Sequence, residues 1–460
     1  MASGKEYTAI RRLEVNGFFM SRAKACVAIL LFVSLLIAVV VLAALLVHER
    51  GKENTAQAAG DSGGTQVPRL KQMACDVVVV GGGISGLYMA ETLLRLKKER
   101  NVCLFEKDSR FGGRNYDHRF KQAPNISTSL GAWRVDKMHK RMMDLAKRLT
   151  VPLKPMGKFK DVFIQARGIF ASTFQSLKEK AFPTLMSGPF SNMTESEMYG
   201  FAWRNMTKEK ALEIPFYRDF LCQRLGSEGC ELLSARYAIK RDFYEESTLC
   251  RLEKRQVFKY FSYEYYRPLG GMSDFPTAVK KSALRLGVKV FLKEKVNVLE
   301  RKGKGFAIHT DHFSALAKKL IIAIPSGAFE AIMGDIAAEV KENVMFESNI
   351  GKNVFKAVAI YGYPWWENFT SSQNSSEPIV ERLWSASTCL VGLMPYGQQT
   401  KAGSNVSRHD LEKWAKRPFP GEEVYMVGEA YSSLPEWNEG ALLTAYNALK
   451  EGWEISNPEP

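Results

Sequence analysis

Hydrophobic and polar positions follow different rhythms in different parts of the chain. Residues 25–47, ACVAILLFVSLLIAVVVLAALLV, are apolar without a single charge. As a helix this run is roughly 34 Å long, enough to cross a bilayer. It is longer than the about 7–15 residues of a cleaved signal sequence and follows a polar lead, which predicts a transmembrane signal anchor. Residues 51–71, GKENTAQAAGDSGGTQVPRLK, are small, polar and rich in Gly. They predict a flexible stalk, bounded at 48–72.

Beyond the stalk the apolar runs shorten. DVVVV (76–80) is too short for a helix and suits a parallel strand buried on both faces. ISGLYMAETLLRLKKE (84–99) places Leu87, Ala90 and Leu94 on one helical face, and NVCLFE (101–106) is a second strand ending in an acid. Residues 288–324 read as short strands with turns at Lys293–Glu294 and Lys302–Gly305, closed by KKLIIAIP and stopped at Pro325. A last strand, VYMVG (424–428), precedes a helix from Asn438 to Glu451. Two less regular regions rich in aromatic residues lie between. The order predicts an α/β fold with a discontinuous Rossmann-like domain (73–135, 266–330 and 424–460). An α+β substrate domain (136–265 and 331–423) interleaves with it.

Charge adds an orientation. Lys5, Arg11, Arg12, Arg22 and Lys24 outweigh Glu6 and Glu14 before the apolar run, whereas Glu49, Arg50, Lys52 and Glu53 nearly cancel after it. The positive-inside rule keeps residues 1–24 cytosolic and predicts a single-pass type II membrane protein with a lumenal or extracellular catalytic domain. Six Asn-x-Ser/Thr sequons, at Asn125, Asn192, Asn205, Asn368, Asn374 and Asn405, all follow the run and fit a glycoprotein. The net charge of +15 would suit an acidic partner, but Lys and Arg are dispersed and no nucleic-acid-binding motif is present, so nucleic acid is not expected. Cys222, Cys230 and Cys250 are close enough for one disulfide of open pairing, and Cys103 is read as a buried thiol. The histidines and cysteines form no metal-ligand pattern. Self-association into a homo-oligomer is left open.

The chemistry begins at Gly81, Gly83 and Gly86, a GxGxxG between the first strand and helix. The first glycine permits the turn, the second lets backbone approach a pyrophosphate, and the third lets helix pack on strand. The helix N-terminus offers N–H groups to the anion, and Glu106 stands where a carboxylate meets ribose hydroxyls. These features predict a dinucleotide without separating NAD from FAD.

The next residues, EKDSRFGGRNY, contain Arg110, Gly112, Gly113 and Arg114. Here the chain resembles the flavin-dependent amine oxidases, whose second phosphate-contacting motif is an RxGGR at this place. PLGGMSDFPTAV (268–279) is similar to the family's GGM segment. VKVFLKEKV is similar to the strand pair whose valine, here Val296, meets the adenine. VGEAYSSLPEWNEGAL (427–442) is similar to the C-terminal signature that reaches the ribityl chain and flavin ring through Glu429 and Trp437. The resemblance implies FAD.

Within that family, SLGAWRVDKMHKRM (129–142) resembles the L-amino-acid oxidases, which implies that Arg134 binds a substrate carboxylate. A guanidinium pairs with a carboxylate through two parallel hydrogen bonds, and a simple amine has no carboxylate to offer. Lys356, in NVFKAVAIYGYPWW, is implied to hold a water near the flavin, and Trp437 to form an aromatic wall beside it. The expected reaction oxidises an L-amino acid or related amine with molecular oxygen, yielding keto acid, ammonia and hydrogen peroxide. A polyamine or monoamine oxidase, and a membrane-tethered flavoprotein without turnover, are the alternatives. The stretch 367–423 is shorter than the resemblance would require, and Tyr396 is the candidate for a second substrate-binding position there.

Overall fold

A computed structural model describes residues 70–121, 123–157, 164–235, 243–358 and 390–458. Residues 25–47 and almost all of the stalk lie outside this set, as do Trp365, Trp366 and the sequons at Asn368 and Asn374. Among the described residues no helix is long and apolar enough to cross a membrane.

One sheet organises the fold. Its strands are β1 (Lys71–Val80), β2 (Val102–Glu106), β3 (Lys289–Leu292), β4 (Val296–Lys302), β5 (Gly305–Thr310) and β6 (Phe313–Ile322). A separate antiparallel ladder joins β7 (Asn349–Val358) to β8 (Leu390–Thr400), and β9 (Val424–Met426) returns to the main sheet. The spatial order is β3-β2-β1-β6-β5-β4, with β9 beside the C-terminal half of β6. Strands β3, β2, β1, β6 and β9 run parallel, whereas β4, β5 and β6 form an antiparallel meander.

The valine run of β1 is buried on both faces: Val77 and Val79 join one apolar cluster, Val78 and Val80 the other. Helix α1 (Ile84–Arg95) covers the first face together with α5 (Asp274–Arg285) and α7 (Asn438–Trp453). Between α1 and α5 come α2 (Lys140–Arg148), α3 (Tyr217–Ser234) and α4 (Thr248–Phe258); α6 (Arg408–Lys416) follows β8. Helices α3 and α4 belong to a third core built from residues 164–252 around Phe182, Phe220 and Leu232.

Three expectations are corrected. The stalk does not reach residue 72, because β1 begins at Lys71 and pairs with Phe313 on β6. The helix expected to continue to residue 99 ends at Arg95, and Lys97 turns the chain with φ +53°. Cys103 is not a thiol: it forms a disulfide with Cys75, across a Cα separation of 6.1 Å. Parallel pairing of β1 with β2 brings the two cysteines into one apolar cluster, a neighbour relation that the strand read alone does not reveal. Cys222 pairs with Cys230, leaving Cys250 as a buried thiol.

Candidate active site

The glycine turn sits at the C-terminal end of β1. Gly81 adopts φ +105°, and its N–H donates to the Phe105 carbonyl on β2 (2.8 Å). Gly86 packs α1 onto this turn so closely that a Cβ there would strike the Gly81 carbonyl. Gly83 behaves differently: a Cβ on it would meet nothing within 4 Å. Gly113, at φ +54°, would meet only the Gly83 Cα at 3.6 Å. Gly83 and Gly112 pair through a parallel bridge, and the Gly112 N–H donates to the Gly82 carbonyl (2.8 Å). The two glycine motifs therefore form one backbone-lined cradle with open space beside it. The α1 N-terminus has no side-chain cap, which leaves the positive end of the helix dipole to an anion.

Glu106 is fixed at the edge of this cradle. Its Oε2 accepts from the Gly82 N–H (2.7 Å) and its Oε1 from the Asp108 N–H (2.8 Å). Each carboxylate oxygen retains a lone pair for a ribose hydroxyl. The Glu294 N–H donates to the Glu106 carbonyl (2.9 Å), and Val296, buried at the start of β4, lies two residues further on. A backbone cradle, an uncapped helix end and an anchored acid fit a dinucleotide.

The remaining motifs converge on the same place. Arg114 forms an ion pair with Glu429. Asn115 and Asn438 exchange amide hydrogen bonds (2.7 and 3.2 Å), tying the RxGGR segment to the start of α7. The GGM segment docks through Asp117, whose carboxylate accepts from the Ser273 N–H (2.6 Å). Arg110 turns back onto its own loop, donating to the Gly113 carbonyl (2.9 Å) with its guanidinium 4.4 Å from the Tyr116 ring centre.

Arg134 lies in an aromatic cage. Its guanidinium carbon is 3.8 Å from the Tyr265 ring centre, 4.7 Å from Trp133 and 5.9 Å from Trp437. Tyr265 and Trp437 are nearly parallel, with centres 6.5 Å apart. Phe261 and His139 meet Trp437 edge-on at 5.2 and 4.8 Å. The segment after Arg134 reaches the cage because Val135 and Asp136 pair antiparallel with Tyr266 and Tyr265. Lys356 lies opposite Gly392 in the β7–β8 ladder; its side chain and that of Tyr396 lie outside the described set.

His139 is an ionisable group that no sequence pattern singles out. Burial, reinforced by the nearby Arg134 charge and opposed by Asp136, pushes its pKa down to about 4. The neutral ring accepts the Asp136 N–H at Nδ1 (3.2 Å), so Nε2 carries the proton. Tyr265 likewise has a raised pKa through burial and remains a neutral phenol. Arg408 was also missed. Fully buried, it donates to the carbonyls of Glu429, Ala430 and Ser432 and so braces the loop carrying Glu429. Neither His139 nor Arg408 belongs to a spaced motif; only packing distinguishes them from their basic neighbours.

Comparison with known proteins gives the site a context. Residues 84–399 match the family described as flavin containing amine oxidoreductase. A tryptophan 2-monooxygenase of Agrobacterium vitis is 41% identical over 68 residues, 15% of this chain and 8% of that protein. Amine oxidase [flavin-containing] B of Homo sapiens is 24% identical over 322 residues, 64% of this chain and 58% of that protein. A putative flavin-containing monoamine oxidase, AofH, of Mycobacterium tuberculosis is 23% identical over 312 residues, 63% of this chain and 66% of that protein. The chain thus spans less than two thirds of the length of each of these relatives. A putrescine oxidase structure aligns with TM-score 0.58 and 15% identity over 81% of this chain and 98% of that one, which establishes a common fold.

Proposed function

This chain belongs to the flavin-containing amine oxidoreductase family, and from that premise we propose that it oxidatively deaminates an L-amino acid or a related amine. The cofactor is FAD. In the proposed reaction the amino acid, molecular oxygen and water give a keto acid, ammonia and hydrogen peroxide. When bound, the flavin supplies the two-electron acceptor; the chain binds, orients and desolvates. Gly81, Gly83, Gly86, Gly112 and Gly113 would hold the pyrophosphate, with Arg110 and Arg114 at the second phosphate motif, Glu106 at the ribose and Val296 at the adenine. Glu429 and Trp437 would meet the ribityl chain and flavin ring, and Lys356 would hold a water.

The observation that carries the reading is the Arg134 guanidinium carbon lying over the Tyr265 ring, 3.8 Å from its centre. A guanidinium presents its donors in one plane, the geometry that pairs with a carboxylate. Charge supports the same choice, since a cation at this point attracts a carboxylate and repels a bare ammonium. One relative's name specifies tryptophan, an amino acid. The runner-up, a mono- or polyamine oxidase, is favoured by the names of the other relatives. A tethered flavoprotein without turnover is the third reading.

The test is the anaerobic visible spectrum of the purified full chain before and after L-amino acids are added. Bleaching of the flavin band, slowed by about 30- to 1,000-fold in Arg134→Ala, is expected. Bleaching by polyamines alone would replace the reading with the runner-up, and bleaching by neither would favour the third.

A membrane-tethered form is part of the proposal, with residues 25–47 as the anchor and the catalytic domain lumenal or extracellular. The Cys75–Cys103 and Cys222–Cys230 bridges support an oxidising compartment. Protease protection of residues 70–460 in sealed microsomes is the expected result; digestion without detergent would overturn that topology.

A further inference from the structure

Next to the cage lies a group of four charged side chains that the proposed chemistry does not use. Helix α4 supplies Arg251 and Lys254, Glu246 stands just before that helix, and Glu436 immediately precedes Trp437. Glu246 and Lys254 are 0% and 2% exposed. Arg251 forms an ion pair with Glu246 (2.5 Å to Oε2), and Lys254 Nζ donates to Glu246 Oε1 (2.5 Å) and Glu436 Oε1 (2.6 Å). Two acids and two bases cancel, so each buried charge has a partner to offset its desolvation. An apolar cluster of the same volume would stabilise such a region equally well, so the ionic version is more informative about geometry than about stability.

That geometry is directed at one turn. Glu436 has φ +74°, in the left-handed region that non-glycine residues enter only when surrounding contacts hold them. Its side chain is held by Lys254, while its backbone N–H donates to Glu429 Oε1 (2.6 Å). Glu429 in turn pairs with Arg114. The next residue after this doubly held turn is Trp437, whose ring closes the cage around Arg134.

We propose that Lys254 is a positioning residue for the substrate site: through Glu436 it sets the turn that aims Trp437 across the Arg134 cage. The proposal rests on reading that cage as the place where substrate binds. Lys254 touches neither substrate nor cofactor in this role. It transmits the placement of α4 to Trp437 and, through the Glu429 contact, to the cofactor cradle.

The experiment uses the full-length holoprotein labelled with 5-fluorotryptophan, with the Trp437 resonance assigned by its loss in Trp437→Phe. Lys254→Met and Glu436→Gln are compared; the second leaves Lys254 paired with Glu246 and is the milder change. Both are expected to shift the Trp437 fluorine resonance while the flavin absorbance is retained. Lys254→Met should lower kcat/KM by about 100-fold, the scale of a roughly 1 Å misplacement, and Glu436→Gln by less, about 10-fold. The double variant should lose no more than the worse single variant, as expected for residues acting through one contact. An unmoved Trp437 resonance in Glu436→Gln, or additive losses in the double variant, would overturn the proposal. A moved resonance in a protein that oxidises no amino acid or amine would uphold the positioning and refute the substrate reading instead.

Discussion

The cofactor cradle and the aromatic cage around Arg134 lie in one fold but are made of different material. In the cradle the working surface is backbone: Gly83 and Gly113 leave space, and peptide N–H groups hold Glu106. In the cage it is side chains, with Arg134, Tyr265 and Trp437 arriving from segments more than 100 residues apart in sequence. A backbone surface is specified by a few glycines at fixed spacing, whereas a side-chain surface depends on how several elements pack. The cradle should therefore fail through close steric contact, and the cage through loss of charge or orientation.

The largest effect should come from Gly86→Ala, whose methyl has no room against the Gly81 carbonyl. About 3 kcal/mol or more of stability should be lost together with the flavin, measured by urea unfolding and the flavin absorbance. Gly83→Ala sharpens the contrast, because its methyl enters open space. Urea midpoints of the FAD-free proteins should stay equal while FAD retention falls. Equal destabilisation by both substitutions would end the idea that Gly83 is kept for the ligand and Gly86 for the helix.

In the cage, Arg134→Ala should lower kcat/KM for an amino acid by about 30- to 1,000-fold, or about 2–4 kcal/mol, with FAD content preserved. Steady-state peroxide release is the readout, and an unchanged kcat/KM would remove Arg134 from the substrate site. His139 gives a pH signature of comparable but smaller size. Its folded pKa of about 4 lies below the unfolded value of 6.5, so between these values the unfolded chain binds the extra proton. Stability contributed by the neutral histidine is present above pH 6.5 and lost as pH falls toward 4, by about 3 kcal/mol. His139→Phe should flatten that slope when urea midpoints are compared at pH 4.5 and 7; an identical slope would contradict it. At the bottom of the scale, the exposed Lys137–Glu264 pair should contribute no measurable stability, so Lys137→Ala should leave the thermal midpoint unmoved.

Legibility followed the same division. The valine run of β1, the four strands between residues 289 and 322, and the start of α7 were readable because each is a local pattern with its own punctuation. The glycine motifs and Glu106 were readable for the same reason. Cys103 was misread because its partner lies on a neighbouring strand, and α1 ended early because nothing in RLKKE signals the left-handed Lys97. His139 lay in plain view beside Arg134 in a run of basic residues, yet only packing against Trp437 and Phe261 makes it neutral and structural. Tyr265, Glu436 and Lys254 had no signal at all.

What the sequence determined by itself was therefore the parallel strand–turn–helix unit, its dinucleotide-type cradle and the likeness to flavin amine oxidoreductases. The unit and its cradle depend on residues within about 35 positions of one another, and the likeness on several short motifs each local in itself, where backbone sterics and hydrogen bonding decide the outcome. Tertiary structure alone decided the Cys75–Cys103 bridge, the closing of aromatic rings around Arg134, and the ionic contact from Lys254 to Glu436. Each joins groups whose proximity depends on how sheet and helices pack, and a desolvated charge or ring acquires its properties only from the neighbours that packing supplies.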